Sequence, residues 1–219
     1  MLSEPDKMPT KRMPMATGLV ALLALMLSWT LALGEDPEPE QVVEETANQV
    51  VQAVVARREE LRQDPDALHA LVEEHLLPHV DDEYVARLVL GVHWRRASPE
   101  QRDRFHQVFY QSLVRTYAEG LLEVTDERVR VLPRRGELDP QRTMVRTEVL
   151  RGNAPPISVN YVLRRAGSDW LVYDVIIEGI SYVSTYRSMF SSEINRSGLD
   201  ALIERLERGE IKPAPKGRA

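Results

Sequence analysis

Ile157–Ile177 reads ISVNYVLRRAGSDWLVYDVII. Val159, Tyr161 and Leu163 alternate with Ser158, Asn160, Val162 and Arg164, Gly167-Ser168 supplies a tight turn, and a second apolar run starts at Trp170. That is a β-hairpin pattern with period two on both sides of a glycine turn. Upstream, Arg128–Leu132 and Thr143–Leu150 alternate in the same way, so four strands follow one another through short connections. Consecutive strands so joined form an antiparallel meander. Helical periodicity lies before and after it. Helices, then strands, then helices give one α+β domain, with the helices packed on one face of a curved antiparallel sheet of four or slightly more strands.

The helical segments carry their own boundaries. From Gln41, apolar residues Val42, Val43, Ala47, Val50, Val51, Val54 and Val55 recur at spacings of three and four, fading before Asp64. Asp64-Pro65 is an N-cap followed by proline at the first helical position, and Pro78 ends that second helix. Asp81 or Asp82 caps a short helix closed by Gly91. Ser98-Pro99-Glu100-Gln101 is a capping box opening a long helix, on which Phe105, Val108, Phe109, Ser112, Leu113, Thr116, Tyr117 and Leu121 share a face. After Gly179 the helical period returns with Tyr182, Tyr186, Met189, Phe190 and Ile194. Gly198 breaks it, and Leu199, Leu202, Ile203 and Leu206 mark a final amphipathic helix.

The two ends are of another kind. Lys7, Lys11 and Arg12 precede an uncharged stretch from Met13 to Gly34, which ends with small residues at Ala32 and Gly34. This layout predicts a secretory signal peptide over 1–34, cleaved before Glu35, in preference to an uncleaved membrane anchor. The acidic leader Glu35–Glu40 is read as mobile, residues 35–208 as the domain, and 209–219 as a disordered tail. The 219 residues include no cysteine, which excludes a disulfide framework, a thiol nucleophile and cysteine-ligated metal. A net charge of −6 argues against nucleic acid as a partner.

Motifs for catalysis are sparse. His75 and His79 stand four apart, but Pro78 lies between them and no glutamate completes an HExxH site. There is no G-x-S-x-G and no glycine-rich phosphate loop, and Ser98 is better spent as a helix cap. Asp174 and Glu178 stand out because they sit in and just after an apolar strand. An inward Asp174 needs a partner, for which Arg187 is a candidate, and a structural role is favoured over catalysis.

What remains is apolar surface on two opposed elements. Phe109, Leu113, Tyr117 and Leu121 lie on the long helix. Val145 and Val149, then Val159, Tyr161 and Leu163, then Val175 and Ile177 lie on the strands. A closed core and a lipid cavity are built from the same residue types, so periodicity alone leaves both open.

Trp170-Leu-Val-Tyr-Asp-Val-Ile-Ile-Glu-Gly-Ile-Ser, followed by Tyr186-Arg187 and Phe190, strongly resembles the signature of the MlaC family of periplasmic phospholipid carriers. The matching positions are Trp170, Asp174, Val175, Glu178, Gly179, Ile180, Ser181, Tyr186, Arg187 and Phe190. Arg115-Thr-Tyr-Ala-x-x-Leu121 and Gly198-Leu-Asp-x-Leu-Ile-x-x-Leu206 look like two further family motifs. The resemblance spans roughly Val42 to Leu206. It implies a cavity for acyl chains lined by the apolar residues above together with Tyr186 and Phe190, with the phospholipid headgroup near solvent. It also implies a shuttle between an outer-membrane lipoprotein complex and an inner-membrane ABC transporter with an MCE-domain subunit, needing neither cofactor nor metal. Two alternatives stand beside it: a periplasmic carrier of another hydrophobic cargo, and a cone-shaped α+β enzyme using Asp174 or Glu178.

Overall fold

A computed structural model describes residues 38–122, 128–152 and 154–211 of the chain. The expected signal peptide (1–34) and residues 212–219 of the expected tail lie outside the described residues. No helix among the described residues is long and apolar enough to cross a membrane.

Helix α1 (Pro39–Gln63) starts with proline in its first turn and departs from helical geometry at Arg57. Its start corrects the reading of the leader as mobile for residues 38–40, residues 35–37 lying outside the described ones. Glu38 stands at its N-terminus, Glu40 is in its first turn, and Arg134 grips both carboxylates, with Nε donating to Glu40 at 2.8 Å. The bidentate geometry pulls the Glu40 carboxyl below its ordinary range. A carboxyl with a depressed folded-state pKa contributes stability that is present at neutral pH and lost as pH falls through that lowered value. Arg134→Met is therefore expected to cost about 1 kcal/mol in urea unfolding at pH 7, shrinking toward zero in strong acid. An equal loss at both pH values would assign the effect to packing of the arginine stem.

Asp64 caps α2 (Pro65–His75) by accepting from the backbone N–H groups of Asp66 and Ala67, as its position before Pro65 predicts. A 3-10 turn (Leu77–His79) follows at Pro78, and Asp81 caps α3 (Asp82–Leu90). The capping box at Ser98 opens α4 (Pro99–Leu121). Five antiparallel strands come next in sheet order β1-β2-β3-β4-β5: β1 (Arg128–Val131), β2 (Arg142–Arg151), β3 (Ala154–Ala166), β4 (Asp169–Ile177) and β5 (Ile180–Ser181). The four expected strands are β1 to β4. The fifth is a two-residue addition where the sequence already reads as helical. Helices α5 (Tyr182–Ser197) and α6 (Leu199–Glu207) complete the domain. Of the expected tail, Gly209 turns the chain, Glu210 pairs with Arg208 and Arg205, and Ile211 packs on the core formed by α3 to α6.

Register fixes which residues look inward. Val145 lies opposite Tyr161 and Tyr161 opposite Val175; Thr147 lies opposite Val159 and Val159 opposite Ile177. Cross-strand partners share a face, so all of these point to one side. A bulge on β4 resets the alternation: Asp174 pairs with Val162 and Val172 with Leu163, leaving Tyr173 over. The extra residue places Trp170 and Val172 on the same face as Val175 and Ile177.

That face is covered unevenly. The N-terminal half of α1 lays Val43 on Val145, Leu163 and Trp170. The rest of α1 packs on α2 and α4 through Val50, Val54, Leu61, Leu68 and Leu71. A third core joins α3, α4, α5 and α6 around Phe105, Phe109, Tyr186 and Phe190, whose rings meet edge-on or stacked at 5.4–6.0 Å. The three cores leave a gap between them.

Candidate functional site

The gap is an apolar pocket of about 400 Å³. Its floor is β4, from Val172 to Ile177. Its opposite wall is α4, from His106 to Leu121, and Leu76 and Leu77, Val85, Tyr182 and Tyr186 close the sides. Val175 and Ile177 are only half-buried although they sit on the inner face, because they look into the gap.

Most polar groups near the wall are paired among themselves; the exception is the buried Tyr110 hydroxyl, which has no hydrogen-bond partner among the described residues. The Tyr117 and Tyr186 hydroxyls share a hydrogen bond at 2.6 Å, and burial together with Tyr117 pushes the Tyr186 phenol above its ordinary value. His106 Nε2 lies 2.8 Å from Asp82 Oδ2. Consumed in this way, these groups leave carbon as the pocket surface. A wall that is carbon apart from one phenol hydroxyl offers no partner to a charge and accepts hydrocarbon.

Of the thirteen expected lining residues, Phe109, Leu113, Tyr117, Leu121, Val175, Ile177 and Tyr186 line this pocket. Six lie elsewhere. Val145, Leu163 and the partly buried Tyr161 belong to the core under α1, where Val43 and Trp170 fill the space. Phe190 is fully enclosed among aromatic rings. Val159 is buried next to Thr147 in the sheet, and Val149 is on β2, two strands away from the pocket floor. The reading missed Val72, Leu76, Leu77, Val85 and Tyr110, since their helical spacing is the same whether the covered space is filled or empty.

The motif residues have structural work. Trp170 is buried in the α1–sheet core, with the Arg165 guanidinium over its ring. Asp174 accepts from the Ser181 hydroxyl at 2.6 Å and from the backbone N–H of Val183 at 3.0 Å, in the first turn of α5. Ser181 is itself the N-cap of α5, accepting from the N–H of Ser184. Arg187 is not the partner of Asp174: its Nε donates to the Leu88 carbonyl at 2.6 Å, and its stem runs past Gly91. A positive φ at Gly91 brings the chain close under that stem.

Glu178 and Gly179 are the two central residues between paired Ile177 and Ile180, and both have positive φ, at 49° and 81°. This is the type I′ pattern that fits the twist of a two-residue hairpin. Glutamate is unusual at its first position. Here its carboxylate accepts from the Ser158 N–H at 2.6 Å and its own N–H donates to the Ser158 carbonyl, tying the turn to β3. Neither Glu178 nor Arg187 touches the pocket. Among the described residues no cluster of three or more His, Asp or Glu side chains is arranged to hold a metal ion.

Comparison with known proteins agrees with this architecture. A solved structure of a phospholipid-binding protein from Ralstonia solanacearum, in complex with a phospholipid, superposes with a TM-score of 0.75 over 82% of this chain and 100% of that one; at 24% identity the likeness speaks to the fold. The toluene tolerance protein ttg2D of Pseudomonas putida is 30% identical over 184 residues, covering 84% of each chain. The intermembrane phospholipid transport system binding protein MlaC of Haemophilus influenzae is 25% identical over 200 residues, 90% of this chain and 93% of its own. The family model described as MlaC protein matches residues 44–208, which run from the helix over the sheet to the last helix of the third core. With its hairpin signature, α+β order and pocket all falling inside that match, the chain belongs to the MlaC family.

Proposed function

We propose that this protein is an exported, periplasmic phospholipid carrier. It shields acyl chains in the pocket and shuttles lipid between an outer-membrane lipoprotein complex and an inner-membrane ABC transporter with an MCE-domain subunit, keeping the outer membrane asymmetric. The observation that carries the reading is a 400 Å³ pocket walled by hydrocarbon in a chain of this family. A buried methylene gains about 0.8 kcal/mol relative to water, so a bound acyl chain needs matching apolar surface and little more. Measured against a bilayer the exchange is close to neutral, which permits both loading and release. The phospholipid complex of the Ralstonia relative supports the same cargo class.

The non-catalytic reading is supported by the state of the two suspect carboxylates. Asp174 is committed to the start of α5, and Glu178 to the hairpin. Organic extraction and mass spectrometry of protein purified from the periplasm test the carrier directly. The expected result is stoichiometric diacyl phospholipid, on a chain whose intact mass begins at Glu35. Another acylated or hydrophobic cargo would support a carrier of different specificity. Lipid hydrolysis that disappears in Asp174→Asn, with folding intact, would favour the enzyme.

A further inference from the structure

The side of the sheet turned away from the helices has its own pattern. By register it carries Arg128, Arg130, Arg142, Arg146 and Arg164, against the carboxylates Glu148 and Asp174. Both acids are already engaged, Glu148 with Arg130 and Asp174 at the start of α5, and Arg164 is neutralised by Asp81, which leaves Arg128, Arg142 and Arg146 as the charge of the face. Among these arginines lie Met144, which is 46% exposed, and the half-buried Val162, Ile176, Leu171 and Leu150. None of these apolar side chains joins any of the three cores. At one end of the face, the Arg164 guanidinium stacks on Tyr84, which meets Tyr173 edge-on at 5.4 Å.

A chain with net charge −6 thus gathers arginines among apolar side chains on one face of its sheet. We propose that this outer sheet face is a docking site for a protein partner that presents carboxylates around an apolar patch. Its composition is that of a protein interface, with methionine and aliphatic side chains among arginines and two tyrosines at one end. Cationic rim residues of this kind speed encounter and set orientation more than they add affinity, which suits a contact that must form and dissolve repeatedly. A bilayer is the less fitting occupant. Adsorption to an anionic lipid surface is opposed by the chain's overall net charge of −6, which a partner contacting this face alone does not meet. The face meets the pocket only at Tyr173 and Asp174, and reading the partner as a donor or acceptor of lipid rests on the carrier function proposed above.

A photo-cross-linking residue in place of Met144, in full-length protein expressed in its native host, tests the site, with one at Ser184 on α5 as control. The expected result is a protein adduct from position 144 and not from 184, reduced about tenfold in Arg128→Glu/Arg142→Glu and restored when carboxylates at the partner's contact are changed to arginine. Copurifying phospholipid is expected to be unchanged, because the pocket is untouched. Absence of an adduct at position 144, or an adduct indifferent to the charge reversals, overturns the proposal. So does charge-dependent binding to phosphatidylglycerol vesicles without a protein adduct, which would make the bilayer the occupant. Loss of copurifying lipid in wild-type protein would instead count against the carrier reading, whatever the adducts show.

Discussion

Val175→Trp is expected to lower copurifying phospholipid at least about fivefold while leaving the delipidated protein as stable as wild type or slightly more so. Val175 stands on the inner face opposite Tyr161 and lines the gap. An indole there fills space an acyl chain would otherwise occupy, and it buries apolar surface of its own. Val145→Trp is the contrast. That side chain is 1% exposed among Val43, Leu163 and Trp170, so enlargement forces strain costing about 1–3 kcal/mol. The matched pair separates occupancy from stability: lipid falls in one, melting temperature in the other. Both must be measured on delipidated protein, since ligand binding raises apparent stability by mass action. A steep loss of apo stability in Val175→Trp, with lipid content unchanged, would return the β4 floor to the status of ordinary core. Val159, buried within the sheet and outside the pocket lining, belongs with Val145 in this comparison.

The two substitutions also mark where sequence reasoning stops. The inner face was legible residue by residue: Val145, Val149, Val159, Tyr161, Leu163, Val175 and Ile177 fall on one side of the sheet by register. Even the bulge has a trace in the spacing, because Trp170 and Val172 are separated from Val175 and Ile177 by an odd step. Which part of that face is filled and which is hollow depends on where α1 comes to rest. Val42 and Val43 cover β2, β3 and the Trp170 end of β4, and nothing in their periodicity says that the cover stops before Val175 and Ile177. The pocket is a property of three cores failing to meet, which is a tertiary fact. The helix boundaries, by contrast, are local. Asp64-Pro65, Asp81, Ser98-Pro99 and Gly198 each act through backbone groups within a few residues, and each marks a helix end in the structure.

Asp174 illustrates the same divide from the side of polar chemistry, and its removal should have the larger structural consequence. A carboxylate inside an apolar strand needs a partner, and the search for a distant cation pointed to Arg187. The actual partners come from the same hairpin. Ile176 pairs with Ser181, so the Glu178-Gly179 turn folds Ser181 back beside Asp174, and the next residues begin α5. Asp174 then accepts from the N–H of Val183, where unpaired backbone donors and the positive end of the helix favour an anion. Hydrogen bonds to a charged group are worth about 1.5–3 kcal/mol each, though their effects overlap in a shared network. Asp174→Ala is therefore expected to destabilise the delipidated protein by about 3 kcal/mol, or roughly 6–12 °C in melting temperature for a chain of this size. Asp174→Asn keeps an acceptor for Val183 but loses the charge, and is expected to recover about half of the loss. The origin of α5 is also the pocket edge, through Tyr182, Val183 and Tyr186. A loosened helix start should therefore speed phospholipid release from Asp174→Ala to an excess of vesicles, at temperatures where the protein remains folded. Unaltered stability in Asp174→Ala would mean that the carboxylate contributes nothing net to this joint, and would reopen the question of what a charged residue does in an apolar strand.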